Sequence, residues 1–174
     1  MSAIVESPYG NIDRGVLQAI GLAVVNYSLL EESLALGVAW LIAGKLSDDV
    51  AHLVVRKLSF RVLLDTFGGL YRHRFPDDLD SVDLKEICKE LEALNEERNR
   101  MFHSFLTLGK AAGRLNRYQT TVVRRGRKIL DDSLSEAEIL GFAERAEKES
   151  NRFLEFVGQC ILPRIDDVIP KGRS

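Results

Sequence analysis

Cysteine and histidine are scarce in this sequence, and their scarcity excludes several classes of protein. The 174 residues include two cysteines, Cys88 and Cys160, and three histidines. Two cysteines that form no Cys-x-x-Cys pair do not make a disulfide framework, so a reducing cytoplasm is expected. The sequence has no zinc-ligand spacing, no Gly-rich phosphate loop and no nucleophile-elbow motif. We therefore expect neither a metal nor a cofactor.

The sequence also lacks an uninterrupted apolar run. The most apolar segment, residues 15–44, contains no stretch of about 18 apolar residues, which a membrane span requires. Polar side chains interrupt it, among them Gln18, Asn26, Ser28, Glu31 and Glu32. The N-terminal segment carries Glu6 and Asp13, and no basic region precedes a short apolar run there. We expect a soluble cytoplasmic protein without a signal peptide.

Net charge is small, but basic residues are concentrated in one segment. The formal net charge is -2, with 24 basic and 26 acidic residues. Residues 110–130 hold seven of the basic residues and none of the acidic ones. This segment is therefore the electrostatic footprint expected for nucleic acid. The predicted RNA-binding residues are Arg114, Arg117, Arg124, Arg125, Arg127 and Lys128.

Apolar residues recur at helical spacing along most of the chain, which predicts an all-α fold. We expect a single domain over residues 1–174, an up-and-down bundle of about five helices with its core at about residues 12–162. The predicted helices cover residues 12–43, 47–58, 59–74, 83–105 and 135–162. The first of them is apolar on more than one side, so it is either central to the bundle or shared with a second subunit.

The segment at about residues 106–130 interrupts this helical pattern. Gly109, Gly113 and Gly126 punctuate it, and residues 118–123 have the composition of a strand. We predict a short basic β-hairpin or irregular arm before the last helix. A capping box, Ser135-x-x-Glu138, is predicted to open that helix.

Polar residues interrupt the apolar stripe of the fourth predicted helix. Asn95 and Arg98 fall inside the stripe, while Asn99 and His103 lie along its edge. An arginine in such a place must be paired or must face a wet cleft, because an unpaired buried charge costs about several kcal/mol. Asn99 and His103, four residues apart, share one ridge of a helix. The stripe itself comprises Leu84, Ile87, Cys88, Leu91, Leu94, Phe102 and Phe105.

Structural explanations of these residues stay open. Arg98 could pair with Glu97 or with a carboxylate on another helix, and His103 could simply end the helix. Glu31, on an otherwise apolar face, could be a buried partner of Arg98 or could lie at a wet subunit seam.

Two runs of residues resemble a known family. Arg98-Asn99 followed by three residues and His103 resembles the Arg-Asn-x-x-x-His form of the R-x4-6-H signature of HEPN domains. Tyr27-Ser28-Leu29-Leu30-Glu31 with Leu34 is similar to the aromatic–x–x–Leu–Glu–x–x–Leu run of the first helix in many such domains. The resemblance covers about residues 12–162.

This resemblance implies a small all-helical domain that cleaves RNA without metal, as in toxin–antitoxin, antiphage and RNA-processing systems. It also implies a homodimer, in which two motif helices meet and double the set of catalytic residues. A cognate antitoxin or a nucleotidyltransferase would then be a partner. Two alternatives stay open at this point, a non-catalytic module that binds RNA, a nucleotide or a protein, and a helical scaffold dimer.

Overall fold

The five helices predicted from the sequence are present in the computed structural model. The structure describes residues 4–5, 12–44, 49–78, 82–102, 105–108, 114–123 and 126–165. The helices are α1 (Arg14–Ala43), α2 (Asp49–Val55), α3 (Phe60–Arg74), α4 (Val82–Phe102) and α5 (Glu136–Phe156). A 3-10 turn, Pro76–Asp78, follows α3, and a π-helical turn, Val157–Ile161, follows α5. The all-α helical bundle is confirmed.

The segment between α4 and α5 forms a larger sheet than the predicted arm. Strands β1 (Ile4–Val5) and β2 (Ile12–Asp13) pair near the N-terminus. Strands β3 (Phe105–Leu108), β4 (Arg114–Val123) and β5 (Gly126–Ser135) form an antiparallel sheet in the order β3-β4-β5. The predicted hairpin is β4–β5, with ten residues in each strand. The sequence interpretation missed β3 as a third strand.

The chain divides into two compact units. Unit 1 comprises Met1–Tyr27 and Leu94–Ala146, and unit 2 comprises Ser28–Ala93 and Glu147–Ser174. Helices α1, α4 and α5 contribute residues to both units, while the three-stranded sheet belongs to unit 1. The single-domain organisation stays a prediction.

Unit 2 is built around a close approach of helices at a glycine. A Cβ at Gly37 of α1 would lie 2.6 Å from Cζ of Phe153 and 3.2 Å from Cε2 of Phe67. Those two rings meet edge to face, with centroids 4.9 Å apart. Beside them, the hydroxyl oxygens of Ser33 and Ser150 lie 2.9 Å apart. The absence of a side chain at Gly37 therefore lets α1, α3 and α5 pack closely.

The first helix has both a buried and an exposed apolar face. Within the described residues, α1 is long and apolar enough to cross a membrane, with 44% of its most apolar 18-residue window buried. The core helix of a soluble protein meets the same criterion of length and composition. Ala19, Ala23 and Leu30 lie on the buried face, whereas Leu22 and Val25 are exposed. The soluble location stays a prediction.

A polar cluster in unit 2 joins the end of α3 to the segment after α5. The Tyr71 hydroxyl donates to Oδ2 of Asp78 over 3.3 Å, and Arg164 forms an ion pair with the same oxygen. The Arg164 guanidinium also lies 4.5 Å from the centroid of the Phe75 ring. Burial, with a contribution from the Asp78 carboxylate, raises the pKa of Tyr71 from 10.0 to about 12.

This raised pKa predicts a loss of stability in alkali. The unfolded chain loses the Tyr71 proton near its ordinary pKa of 10.0, whereas the folded chain keeps it until about 12. The contribution of Tyr71 to the free energy of unfolding is therefore fully present below the unfolded-state pKa of 10.0. It is lost as the pH rises from there to about 12. Tyr71→Phe has no proton to lose, so it should lose less stability between about pH 8 and about pH 11 in urea unfolding. Equal alkaline losses in both proteins would contradict the prediction.

Candidate functional site

Arg98 is the centre of a polar cluster in unit 1. It lies on the last turns of α4 with Asn95 and Asn99, and all three residues are half-buried. The Arg98 guanidinium carbon is 5.3 Å from the centroid of the Tyr27 ring, and its Nη1 donates to Oδ1 of Asn99 over 3.1 Å. The Tyr27 hydroxyl donates to Oδ1 of Asn95 over 2.9 Å. An aromatic face and an amide therefore hold the guanidinium in place.

Tyr27, which holds Arg98, is itself anchored by its surroundings. The residue is 4% exposed, and its ring stacks on Phe142 of α5 with centroids 6.1 Å apart. Phe142 in turn meets Phe102 edge to face at 6.1 Å. The neighbouring Asn26 donates from Nδ2 to the carbonyl oxygen of Ala143 over 3.0 Å. Because α1 and α5 are tied together here, the surface beneath Arg98 is formed before any ligand binds.

The sequence interpretation did not identify Tyr27 as part of the site. The sequence pattern places Tyr27 in the family-like run, which describes only its own helix. Its contacts with Asn95 and Arg98 join residues 68 and 71 positions apart in the chain. The hydroxyl of Tyr27 on a mainly apolar helix is the one available signal, since a buried tyrosine usually finds a hydrogen-bond partner.

The carboxylate next to Arg98 in the sequence binds a different arginine. Nη2 of Arg145 on α5 donates to both carboxylate oxygens of Glu97, over 2.6 and 2.7 Å. Glu97 is therefore engaged with Arg145, and its pairing with Arg98, which the sequence left open, stays a prediction. Glu31 is half-buried in unit 2, whereas Arg98 belongs to unit 1, so their pairing stays a prediction.

His103 lies outside the described residues, so its catalytic role stays a prediction. Helix α4 ends at Phe102, and β3 begins at Phe105. The expectation that one helix runs through Phe105 is therefore wrong. The physical reason is the strand pairing, because Phe105 is in register with Tyr118 of β4 and each β3 residue has a β4 partner. The motif arginine thus lies on the last helical turns before the sheet.

Four of the six predicted RNA-binding residues belong to strands of the β4–β5 hairpin. Arg114 is exposed, and its Nη1 donates to Oγ of Ser133 over 2.9 Å. Arg124 and Arg125 lie outside the described residues. The backbone of β4 includes Arg117, and that of β5 includes Arg127 and Lys128.

The hairpin also brings carboxylates into the basic segment. The register pairs Arg117 with Asp132 and Tyr118 with Asp131. Both aspartates directly follow residues 110–130, the segment that contains no acidic residue. The antiparallel register places them opposite residues 117 and 118, in the first half of that segment. The described strands of the hairpin therefore carry both basic and acidic residues.

Metal ligands are not grouped in the part of the chain that the structure describes. None of its His, Cys, Asp and Glu residues form a set of three or more that could hold a metal ion. The groups that the Arg98 cluster offers are donors, namely a guanidinium and side-chain amides. Such groups bind anions such as phosphate.

The fold and this cluster define a class of protein, an all-helical bundle with a β-sheet insertion and a positioned arginine at the end of α4. No protein-family model, curated protein or solved structure matches the chain. The functional proposal therefore rests on the residues themselves.

Proposed function

We propose that this protein is a metal-independent endoribonuclease of HEPN type, acting as a component of a toxin–antitoxin or antiphage system. The observation that supports the proposal best is the preorganised Arg98, five residues before His103 in the sequence. Its guanidinium lies over the Tyr27 ring and is hydrogen-bonded to Asn99. A cation fixed before the substrate arrives stabilises the charge that develops on phosphorus and needs no reorganisation during the reaction.

The proposed reaction uses the ribose 2′-hydroxyl as the nucleophile. A base removes the 2′ proton, the oxygen attacks phosphorus, and the bond to the 5′ oxygen breaks as an acid protonates that oxygen. The products are a 2′,3′-cyclic phosphate and a 5′-hydroxyl. His103 is proposed to transfer protons because imidazole titrates near neutral pH. Arg98 would clamp the phosphate, and Asn99 would orient the imidazole or a phosphate oxygen.

This reaction is tested directly by incubating the purified protein with RNA in EDTA. We expect cleavage that continues in EDTA and leaves 2′,3′-cyclic phosphate ends. A matched RNA with a single 2′-deoxyribose at the cleaved position should stay intact there, because the nucleophile is missing. Cleavage that requires a divalent ion, or that cuts the 2′-deoxy position equally well, would refute the mechanism.

A homodimer is the proposed assembly, because a single His103 does not readily serve as both acid and base. Residues 15–30 contain no charged side chain. On this part of α1, Leu22, Val25 and Leu29 are 44%, 55% and 57% exposed and follow each other at steps of three and four residues. Such an apolar ridge favours contact with a second helix.

We predict that Val25→Lys converts the dimer to a monomer and lowers cleavage with it. A charge on the ridge would have to be buried in the seam, which is costly for an unpaired lysine. Val62→Lys is the matched control, because Val62 on α3 is 45% exposed and belongs to a different surface. Light scattering at micromolar concentration measures the mass. A wild-type protein that is already monomeric would contradict the proposed assembly.

The basic segment at residues 110–130 is proposed to set RNA affinity and not chemistry. Replacing Arg124, Arg125 and Arg127 with alanine should weaken binding and reduce the slope of log K against log salt by about 0.7 per lost phosphate contact. A control that replaces Lys57, Arg61 and Arg72, three exposed basic residues of unit 2, should leave the slope unchanged. An unchanged slope in the variant that lacks Arg124, Arg125 and Arg127 would show that these residues do not contact RNA phosphates.

A non-catalytic module that binds RNA or a nucleotide is the second candidate. It is favoured by the nature of the contacts around Arg98, since a ring and an amide hold an arginine equally well for binding alone. RNA binding that depends on Arg98 without any cleavage would support this candidate. A small nucleotidyltransferase or an antitoxin encoded by the neighbouring gene would favour the toxin role.

A further inference from the structure

A separate cleft opens in unit 1, on a face of α4 different from the one that carries Arg98. Its volume is about 360 Å³, and its walls come from α4, β5 and α5. Met101 and Leu134 supply apolar lining and are only 4% and 6% exposed. Gly141 also lines the cleft, and a Cβ added there would meet nothing within 4 Å. The volume is that of a small-molecule site, and most of the exposed lining is polar.

The polar groups of the cleft are held in position by neighbouring residues. Arg145 is fixed by its two bonds to Glu97. The Glu138 carboxylate accepts bonds from the backbone N–H and the hydroxyl of Ser135, each over 2.7 Å. The Glu138 backbone N–H donates to the Ser135 hydroxyl over 3.2 Å, which confirms the predicted capping box. The Ser133 hydroxyl accepts from Arg114 over 2.9 Å. A ligand would therefore meet preorganised donors and acceptors.

The balance of charge in the cleft argues against a phosphate. Its lining includes three carboxylates, those of Glu97, Asp132 and Glu138, and two guanidiniums, those of Arg100 and Arg145. An excess of carboxylate disfavours an anion but suits an uncharged polar ring that donates N–H groups. Nucleobases with an exocyclic amine have this chemistry, because carboxylates accept from their amino groups and guanidiniums donate to ring nitrogen or carbonyl acceptors.

We propose that this cleft is a nucleobase subsite that prefers bases with an exocyclic amine, and that it holds a base near the cleaved phosphodiester. The inference rests on the proposed function, because it takes the phosphate to be bound at Arg98. Glu97 and Arg100 flank the Arg98-Asn99 pair in α4. Residues of the cleft and of the phosphate clamp therefore lie within one helical turn of α4, which is the basis for proposing that they bind the same RNA.

The test fills the cleft without disturbing the fold. Gly141→Leu adds a side chain into the open space on α5, and Gly69→Leu makes the same change at a glycine of α3 that also has nothing within 4 Å. Thermal melts should show that both variants fold. Binding of adenosine, cytidine and uridine is then measured by equilibrium titration, together with cleavage of matched RNAs that differ at one base.

We expect adenosine and cytidine to bind the wild-type protein about tenfold more tightly than uridine. Gly141→Leu should remove this binding and the base preference of cleavage, whereas Gly69→Leu should leave both unchanged. Asp132→Asn, which keeps the size of the side chain and removes its charge, should reduce the difference between cytidine and uridine. Equal affinity for all three nucleosides, or no effect of Gly141→Leu, overturns the proposal.

The outcomes separate this inference from the proposed function. Base-selective nucleoside binding that Gly141→Leu removes, in a protein that does not cut RNA in EDTA, supports the subsite and refutes the endoribonuclease. Cleavage in EDTA without base selectivity, unchanged in Gly141→Leu, supports the endoribonuclease and overturns the subsite.

Discussion

His103→Ala and Arg98→Ala are each expected to reduce RNA cleavage by about 10²–10⁴-fold, because each removes a group that acts on the transition state. Cleavage should be measured at saturating RNA in EDTA, so that a loss in kcat is not mistaken for a loss of binding. The exposed Arg61 of α3 provides the control, since Arg61→Ala removes a guanidinium from unit 2. Wild-type rates in His103→Ala would show that the proposed mechanism is wrong.

Thermal melts separate a catalytic from a structural role in these variants. Arg98 is half-buried against Tyr27, so replacing it with alanine is expected to lower the melting temperature. Arg98→Lys is the more informative change, because it keeps the positive charge and loses the planar group that stacks and binds phosphate in bidentate fashion. An inactive Arg98→Lys protein with a normal melt would mark a catalytic arginine. Full activity in this variant would show that the site needs only a positive charge and not the planar guanidinium.

Phe153→Ala should lower the free energy of unfolding by about 3–5 kcal/mol, the usual cost of removing a buried aromatic ring. Phe153 is fully buried, and its ring lies against Gly37 and Phe67. Gly37→Ala should cost about 1–2 kcal/mol net, since overpacking exceeds the gain in helix propensity. Urea unfolding measures both values.

A double variant tests whether the two effects share one contact. In the Phe153→Ala background, the added methyl at Gly37 has room, so the cost of Gly37→Ala should disappear or change sign. Gly69→Ala is the matched control and should stabilise by about 0.5–1 kcal/mol in either background, because the methyl meets nothing. Additive losses in the double variant would contradict close packing at Gly37.

Helix positions were predictable because their signals are local. The prediction of residues 12–43 matches α1 at Arg14–Ala43 to within two residues. Ser59 is the N-cap of α3, although its side chain makes no capping bond. The Ser135–Glu138 box opens α5 with reciprocal hydrogen bonds, each from the backbone N–H of one residue to the side chain of the other. Periodicity and caps depend on residues three or four apart, so a single sequence contains the information.

The end of α4 was not predictable in the same way. Phe102 and Phe105 continue the apolar period of the helix, so a wheel assigns both to one stripe. In the structure the helix ends at Phe102, and Phe105 pairs with Tyr118 in the sheet. The choice between helix and strand there depends on a partner strand that is distant in the sequence. Local patterning carries no information about such a partner.

The sequence by itself determined the all-helical class, the break before the last helix and the presence of a polar group in the stripe of α4. Only the tertiary structure decided which groups meet there. It set Arg98 against Tyr27, joined Glu97 to Arg145, and opened a cleft at Gly141. The physical reason is that a helical repeat states which residues share a face, while the partner of that face is chosen by packing between segments far apart in the chain.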